Sequence, residues 1–183
     1  TKYLNGHSDV TAGVLSVKKV GDFWEEIALI RKLQGTVLNS FDAWLLIRGM
    51  RTLFLRVERC SQNAMAVAKH FHGHDYLETV LYPGLSSDPG HEVAKKQTNG
   101  QFGGMMSIII KGSEQTAVDV TRFCQLFYPA TSLGGVESLI EHRKTVSGEG
   151  FPVHPRLLRL SIGIEDADDL IWDLEQALTR AFN

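Results

Sequence analysis

The chain has little cysteine: Cys60 and Cys124 are the only two in 183 residues. Two cysteines make no disulfide framework, and no Cys/His grouping has the spacing of a zinc site. A reducing, cytosolic setting is therefore expected. A basic excess is missing too. Nineteen Lys plus Arg stand against 21 Asp plus Glu, for a net charge of −2. That argues against sequence-blind binding to nucleic acid, which needs a positive surplus. No apolar run approaches the roughly 20 residues that cross a bilayer, so no membrane role is expected. The opening Thr1-Lys2-Tyr3-Leu4-Asn5 has no initiator Met, and no charged segment leading into an apolar one. It does not read as a secretory signal. It reads like the middle of a domain, so a piece of a longer polypeptide is expected. What is present is ordinary for a globular protein: 43% hydrophobic and 22% charged residues. The length suits one large domain or two small ones, with enough chain to bury a core.

The hydrophobic periodicity predicts an α/β chain. Val10 to Val20, rich in β-branched residues, reads as a strand. A helix starts at Gly21-Asp22, carries Phe23, Ile27, Ile30 and Leu33 on one stripe, and stops at Gly35. A long helical pattern runs from about 40 to 72, capped by Asn39 or Ser40 and interrupted only by Gly49. Such a helix often bridges two subdomains. Beyond residue 75 the expected order is strand (Leu77 to Tyr82), helix (His91 to Gln97), strand (Met105 to Lys111), helix (Glu114 to Cys124, capped by Ser113), strand (Leu126 to Tyr128), strand (Leu157 to Ile164) and helix (Asp166 to Phe182). Leu139 to Glu141 extends a glycine-centred segment, and Lys144 to Pro155 reads as loop. This predicts helices on one face of a small mixed or antiparallel sheet.

Several residues could carry chemistry. Lys2, in a polar turn, is either a solvated lysine or an amine that forms a Schiff base with an aldehyde cofactor. The segment Thr131 to Ser138, with Gly134-Gly135 inside, is a structural turn or a cradle for an anion or a lysine. Arg159 interrupts the apolar run Leu157 to Ile162. It either faces a pocket and reads a carboxylate, or lies on an edge strand paired with a carboxylate such as Glu165. His70, His72 and His74 alternate near a helix end. Alternating residues do not share a helical face, so a solvated terminus is expected there and no metal site. Met65, Met105 and Met106 read as core, and Asp88, His91 and Glu92 as surface helix capping.

Four blocks appear in one order. They are Thr1 to Val10 (TKYLNGHSDV); Arg48 to Leu53 (RGMRTL); Tyr82-Pro83-Gly84-Leu85 with Gly90-His91-Glu92; and Ser132 to Ser138 (SLGGVES) with Leu158 to Asp166 (LRLSIGIED). The chain thereby resembles, over essentially its whole length, the Cys/Met-metabolism family of pyridoxal-phosphate enzymes, which includes cystathionine gamma-synthase and the cystathionine lyases. The resemblance implies the end of a fold-type I large domain with a connecting helix over residues 1–61, and the C-terminal small domain over 62–183. It implies pyridoxal 5'-phosphate as cofactor and small amino acids as substrates. It also implies a homotetramer with sites shared between subunits, and an N-terminal half of the same protein. That half would supply an aspartate for the ring nitrogen, a stacked aromatic and a phosphate loop.

By the same resemblance, Lys2 carries the cofactor and shuttles protons. Thr1 touches the cofactor phosphate, Ser132 orients the lysine and the substrate, and Arg159 binds the substrate α-carboxylate. The expected activity is transsulfuration, favouring γ-replacement of an O-acyl-homoserine by cysteine, with γ- or β-elimination of cystathionine as the alternative. Thr131 stands where many gamma-synthases and gamma-lyases have glutamate, and the 144–155 loop is short; both bear on which reaction runs. A further alternative is a non-catalytic assembly or regulatory piece.

Overall fold

The computed structural model describes residues 2–131, 134–147 and 150–183. It is an α/β fold, as the periodicity predicts. Three helices come first: α1 (Asp22–Gln34), α2 (Ser40–Met50) and α3 (Leu53–Phe71). Then follow β1 (Leu77–Leu81), α4 (His91–Thr98), β2 (Met105–Ile110), α5 (Glu114–Phe123), β3 (Tyr128–Pro129), β4 (Leu139–His142), α6 (Arg143–Ser147), β5 (Leu157–Ser161) and α7 (Ala167–Phe182). The five strands lie in the order β1-β2-β5-β4-β3. All neighbours are antiparallel except β3 and β4.

Alternation along the strands sorts the two faces of this sheet. Met106, Ile108, Ile110, Ile140, Leu158 and Leu160 point into one core with Val67 and Phe71 of α3, Val120 of α5 and Leu170, Leu174 and Leu178 of α7. Burying an aliphatic side chain of this size contributes about 1.5–3 kcal/mol. Ser113 caps α5 as expected, while Asp166, expected inside the first turn of the last helix, is the cap that precedes it. Ser113 and Thr116 form a reciprocal capping box on α5, and Asp166 caps α7 through the Asp168 N–H at 2.9 Å. The opposite face carries Ser107, Arg159 and Glu141 side by side, because Ser107 pairs with Arg159 and Arg159 with Glu141.

The structure corrects five sequence expectations. Val10 to Val20 is irregular; Val14 and Leu15 are exposed and no described residue forms a ladder with the segment, so β-branching alone does not make a strand there. The pattern from 40 to 72 is two helices, divided at Arg51-Thr52. The strand expected at Leu126 to Tyr128 is shifted to Tyr128–Pro129, an edge position where proline's missing N–H costs nothing. Leu139–His142 is a full strand, hidden by its two polar residues, and part of the expected 144–155 loop is the short helix α6.

Candidate functional site

Lys2 is exposed, and among the described residues it makes no hydrogen bond or ion pair. The turn that carries it is nevertheless held firmly. Tyr3 accepts the Gly104 N–H on its phenol oxygen at 2.8 Å, and burial pushes the Tyr3 pKa up, which keeps the phenol neutral. The Tyr3 carbonyl accepts from Arg56 Nη1 at 2.9 Å. Arg56 also donates from Nη2 to the Gly49 carbonyl at 2.8 Å and from Nε to Thr52 Oγ1 at 3.1 Å. Its fork thus ties the lysine turn to the end of α2 and the start of α3. The next turn is closed by Asn5, which is buried and donates to Asp9 Oδ1 at 2.5 Å. Gly49 gives Asn5 its room, since a Cβ at 49 would collide with the Asn5 carbonyl.

The segment before β4 closes on this turn from the other side. Gly134 has a positive φ of 64°, and a Cβ there would collide with the Lys2 backbone. Ser8 Oγ donates to Glu137 Oε1 at 2.9 Å. Farther along, Ser138 donates from its main-chain N and its Oγ to Glu165 at 2.6 and 2.9 Å, and its Oγ accepts the Gly163 N–H at 2.8 Å. Asn63 of α3 pins the same corner by donating to the carbonyls of Gly163 and Glu165. Thr1 and Ser132 lie outside the described residues.

Arg159 stands on the sheet face turned away from the helices. Its partner is Glu141 across the strand pair, with Nη2 to Oε1 at 2.6 Å. The alternative partner Glu165 is instead committed to Ser138. Glu141 is only 4% exposed and gathers two further donors: Arg143 Nη1 on Oε1 at 3.1 Å and the Thr131 hydroxyl on Oε2 at 2.8 Å. The Arg159 Nε is enclosed and unpartnered among the described residues. Sequence reasoning missed Glu141 and Arg143. The available signal was a glutamate directly after the apolar pair Leu139-Ile140, at the position that faces Arg159 once the two segments pair.

The remaining candidates resolve into packing. His70 and His74 both reach Glu175 of α7, at 2.8 and 3.2 Å, so the end of α3 is tied to α7, where a solvated terminus had been expected. No group of metal-binding side chains occurs among the described residues. Asp88 accepts the Gly90 N–H at 2.8 Å and closes the turn ahead of α4, but α4 starts at N-cap Gly90 with no side-chain cap, so the expected helix capping is not formed. Met106 is buried, while Met65 packs against the core from a half-buried position. No helix among the described residues is long and apolar enough to cross a membrane.

Comparison with known proteins joins these features. The chain is 47% identical over 183 residues to cystathionine gamma-synthase of Mycobacterium tuberculosis, covering 97% of this chain and 47% of that protein. It is 44% identical over 188 residues to cystathionine gamma-lyase of Bacillus subtilis, covering 97% of this chain and 48% of that one. The crystal structure of cystathionine gamma-lyase from yeast superposes with a TM-score of 0.90 at 39% identity, covering 100% of this chain and 49% of that chain. The chain thus spans about half the length of the relatives it matches. A family model for Cys/Met metabolism PLP-dependent enzymes matches residues 1–179, and the chain belongs to that family.

Proposed function

We propose that this chain contributes Lys2, Thr1, Ser132 and Arg159 to a pyridoxal-phosphate site, and that the whole protein joins cysteine to an O-acyl-homoserine. In that γ-replacement the Cγ–O bond of the ester breaks and a Cγ–S bond forms. The carboxylic acid leaves, and the thiol proton is accounted for on the acid. The observation that carries this reading is the closure of the Gly134 turn on Lys2, in the segment that leads to β4 and its Glu141–Arg159 pair.

The residues present fit the cofactor. Lys2 offers a primary amine with no partner among the described residues, on a turn fixed by Tyr3, Arg56 and Gly134. The cofactor, when bound, supplies an electron sink. Lys2 would hold it and move a proton at the substrate α-carbon, while the Thr1 hydroxyl would contact its phosphate. Ser132 would orient the lysine amine. Arg159 would hold the substrate α-carboxylate by charge-assisted hydrogen bonds, which fixes the reacting carbon near the lysine. We further propose that residues 1–61 belong to the large domain and 62–183 to the small one, and that the working form is a cytoplasmic homotetramer completed by the N-terminal half of the protein.

The test uses the full-length protein. Lys2→Ala should abolish both the visible absorbance of bound cofactor and turnover; retention of both overturns the reading. A second reading, elimination from cystathionine, is favoured by the likeness to gamma-lyases, nearly as high as that to gamma-synthases. Turnover of cystathionine alone, with none of cysteine plus acyl-homoserine, would select it.

A further inference from the structure

The Arg159 site holds more charge than one ion pair. Two guanidiniums, Arg159 and Arg143, converge on the same oxygen of Glu141, at 2.6 and 3.1 Å. The other oxygen is taken by a neutral donor, the Thr131 hydroxyl. The cluster therefore carries one net positive charge. Glu141 is 4% exposed on its side chain, whereas Arg159 and Arg143 are 28% and 33% exposed. Each guanidinium keeps an open side while the carboxylate is enclosed.

A lone Arg159–Glu141 pair is already neutral. Bringing a substrate carboxylate to it would place two carboxylates on one guanidinium, and repulsion at short range in a partly desolvated site opposes that strongly. With Arg143 on the same oxygen the count is different. The free site is at plus one, and the site with a bound carboxylate is neutral, two cations against two anions.

We propose that Arg143 is the charge-balancing residue of the carboxylate site: by sharing Glu141 it leaves Arg159 free to accept one amino-acid carboxylate. Arg143 is a positioning residue that acts through Glu141. Glu141 in turn fixes the direction of the Arg159 guanidinium from the neighbouring strand. The inference rests on the proposed reading of Arg159 as the carboxylate binder and adds the residue that makes this binding electrostatically possible.

The experiment measures binding of glycine, and of glycinamide, in which a neutral amide replaces the carboxylate, to the full-length cofactor-loaded protein by titration calorimetry. Arg143→Gln should weaken glycine about tenfold, the scale of one charge-assisted contact, and leave glycinamide unchanged. The decisive variant is the double substitution Arg143→Gln with Glu141→Gln. It removes the cation and the anion together, restores plus one on Arg159, and should bind glycine within about threefold of the unmodified protein. A purely structural role predicts the reverse, since the double variant loses more contacts than the single one. A double variant no better than Arg143→Gln overturns the inference, as does Arg143→Gln with unchanged glycine affinity. Arg143→Lys covers the case of a variant that does not fold. It keeps the charge and should bind glycine nearly normally; a tenfold loss there means that shape and not charge is required, which also overturns the proposal. Arg159→Lys separates the two levels. If it leaves glycine binding intact, the underlying reading of Arg159 fails; if it weakens binding while Arg143→Gln does not, only the role of Arg143 fails.

Discussion

Arg56 donates to the carbonyl of Tyr3 at 2.9 Å, across 53 positions of sequence. Through this bond the helix pair α2–α3 governs where Lys2 sits. Arg56 is buried, and two of its three nitrogens serve main-chain oxygens. Arg56→Lys cannot reproduce that fork, because an ammonium is a point charge on a flexible stem. We expect a stability loss of about 2–3 kcal/mol, since buried acceptors lose their donors. In the full-length protein the turnover number should fall more than the substrate KM rises, because the lysine is misplaced while Arg159 is untouched. Urea denaturation and steady-state kinetics check the two parts.

Gly49 gives a case where two effects oppose. It lies inside α2, where alanine is favoured over glycine by about 1 kcal/mol. Its missing Cβ is also what admits the Asn5 carbonyl. The obstacle is backbone, which cannot swing aside like a side-chain tip. The clash should win. Gly49→Ala is expected to destabilise by roughly 2 kcal/mol or more, within the range for overpacking, and to weaken cofactor retention because Asn5 lies three residues from Lys2. Thermal unfolding with and without added pyridoxal phosphate measures both.

These two residues also mark what sequence could reveal. Gly49 was visible inside the 48–53 block, whereas Arg56 lies outside it and was not singled out; helices α1, α4, α5 and α7, the Asn39 and Ser113 caps and strands β1, β2 and β5 followed from periodicity. Glu141 was not visible, because its burial depends on which strand becomes its neighbour, and a four-residue strand has too few positions to display alternation. The irregular Val10 to Val20 segment failed in the opposite way. Its composition favours a strand, but a strand needs a partner ladder, and none lies among the described residues. The division of the 40–72 pattern was hidden since Arg51-Thr52 carries no proline. The charge count at Arg159 needed the fold, because residues 131, 141, 143 and 159 meet only when β4 pairs with β5.

Asp173 of α7 is fully buried and accepts the main-chain N–H groups of Gln125, Leu126 and Phe127 at 2.7, 2.8 and 3.0 Å. It anchors the chain that runs from α5 into β3 and on to Thr131. Asp173→Ala leaves three main-chain donors without their acceptor, that of Phe127 buried and those of Gln125 and Leu126 partly buried, and a buried donor left unsatisfied costs about 1–3 kcal/mol. We expect a loss of more than 3 kcal/mol. Asp173→Asn keeps one acceptor oxygen and should lose less. Because β3 leads to the Thr131–Glu141 bond, Asp173→Asn should also raise the substrate KM. Urea midpoints of the two variants, with the KM of the milder one, provide the check.

Tyr82 is expected to contribute to the loss of stability at alkaline pH. Its phenol is fully buried and donates to the Gly103 carbonyl at 2.9 Å, next to the Gly104 N–H that holds Tyr3. Burial pushes its pKa up to about 12. In the unfolded chain a tyrosine titrates near 10. The folded value is the higher one, so the stabilisation is fully present below about pH 10 and is lost as pH rises toward 12. Two units correspond to about 2–3 kcal/mol. Tyr82→Phe should cost about 1 kcal/mol at pH 7 through the lost hydrogen bond, yet show a shallower fall in stability between pH 10 and 11.5. Cys60, packed beside Gly104 with its thiol pKa also raised by burial, should resist iodoacetamide at pH 8 for as long as this corner holds. Rapid alkylation of Cys60 in the Tyr82→Phe protein, at a pH where the unmodified protein is still protected, would show that the phenol seals the corner; equal protection in both would assign that seal to the surrounding packing alone.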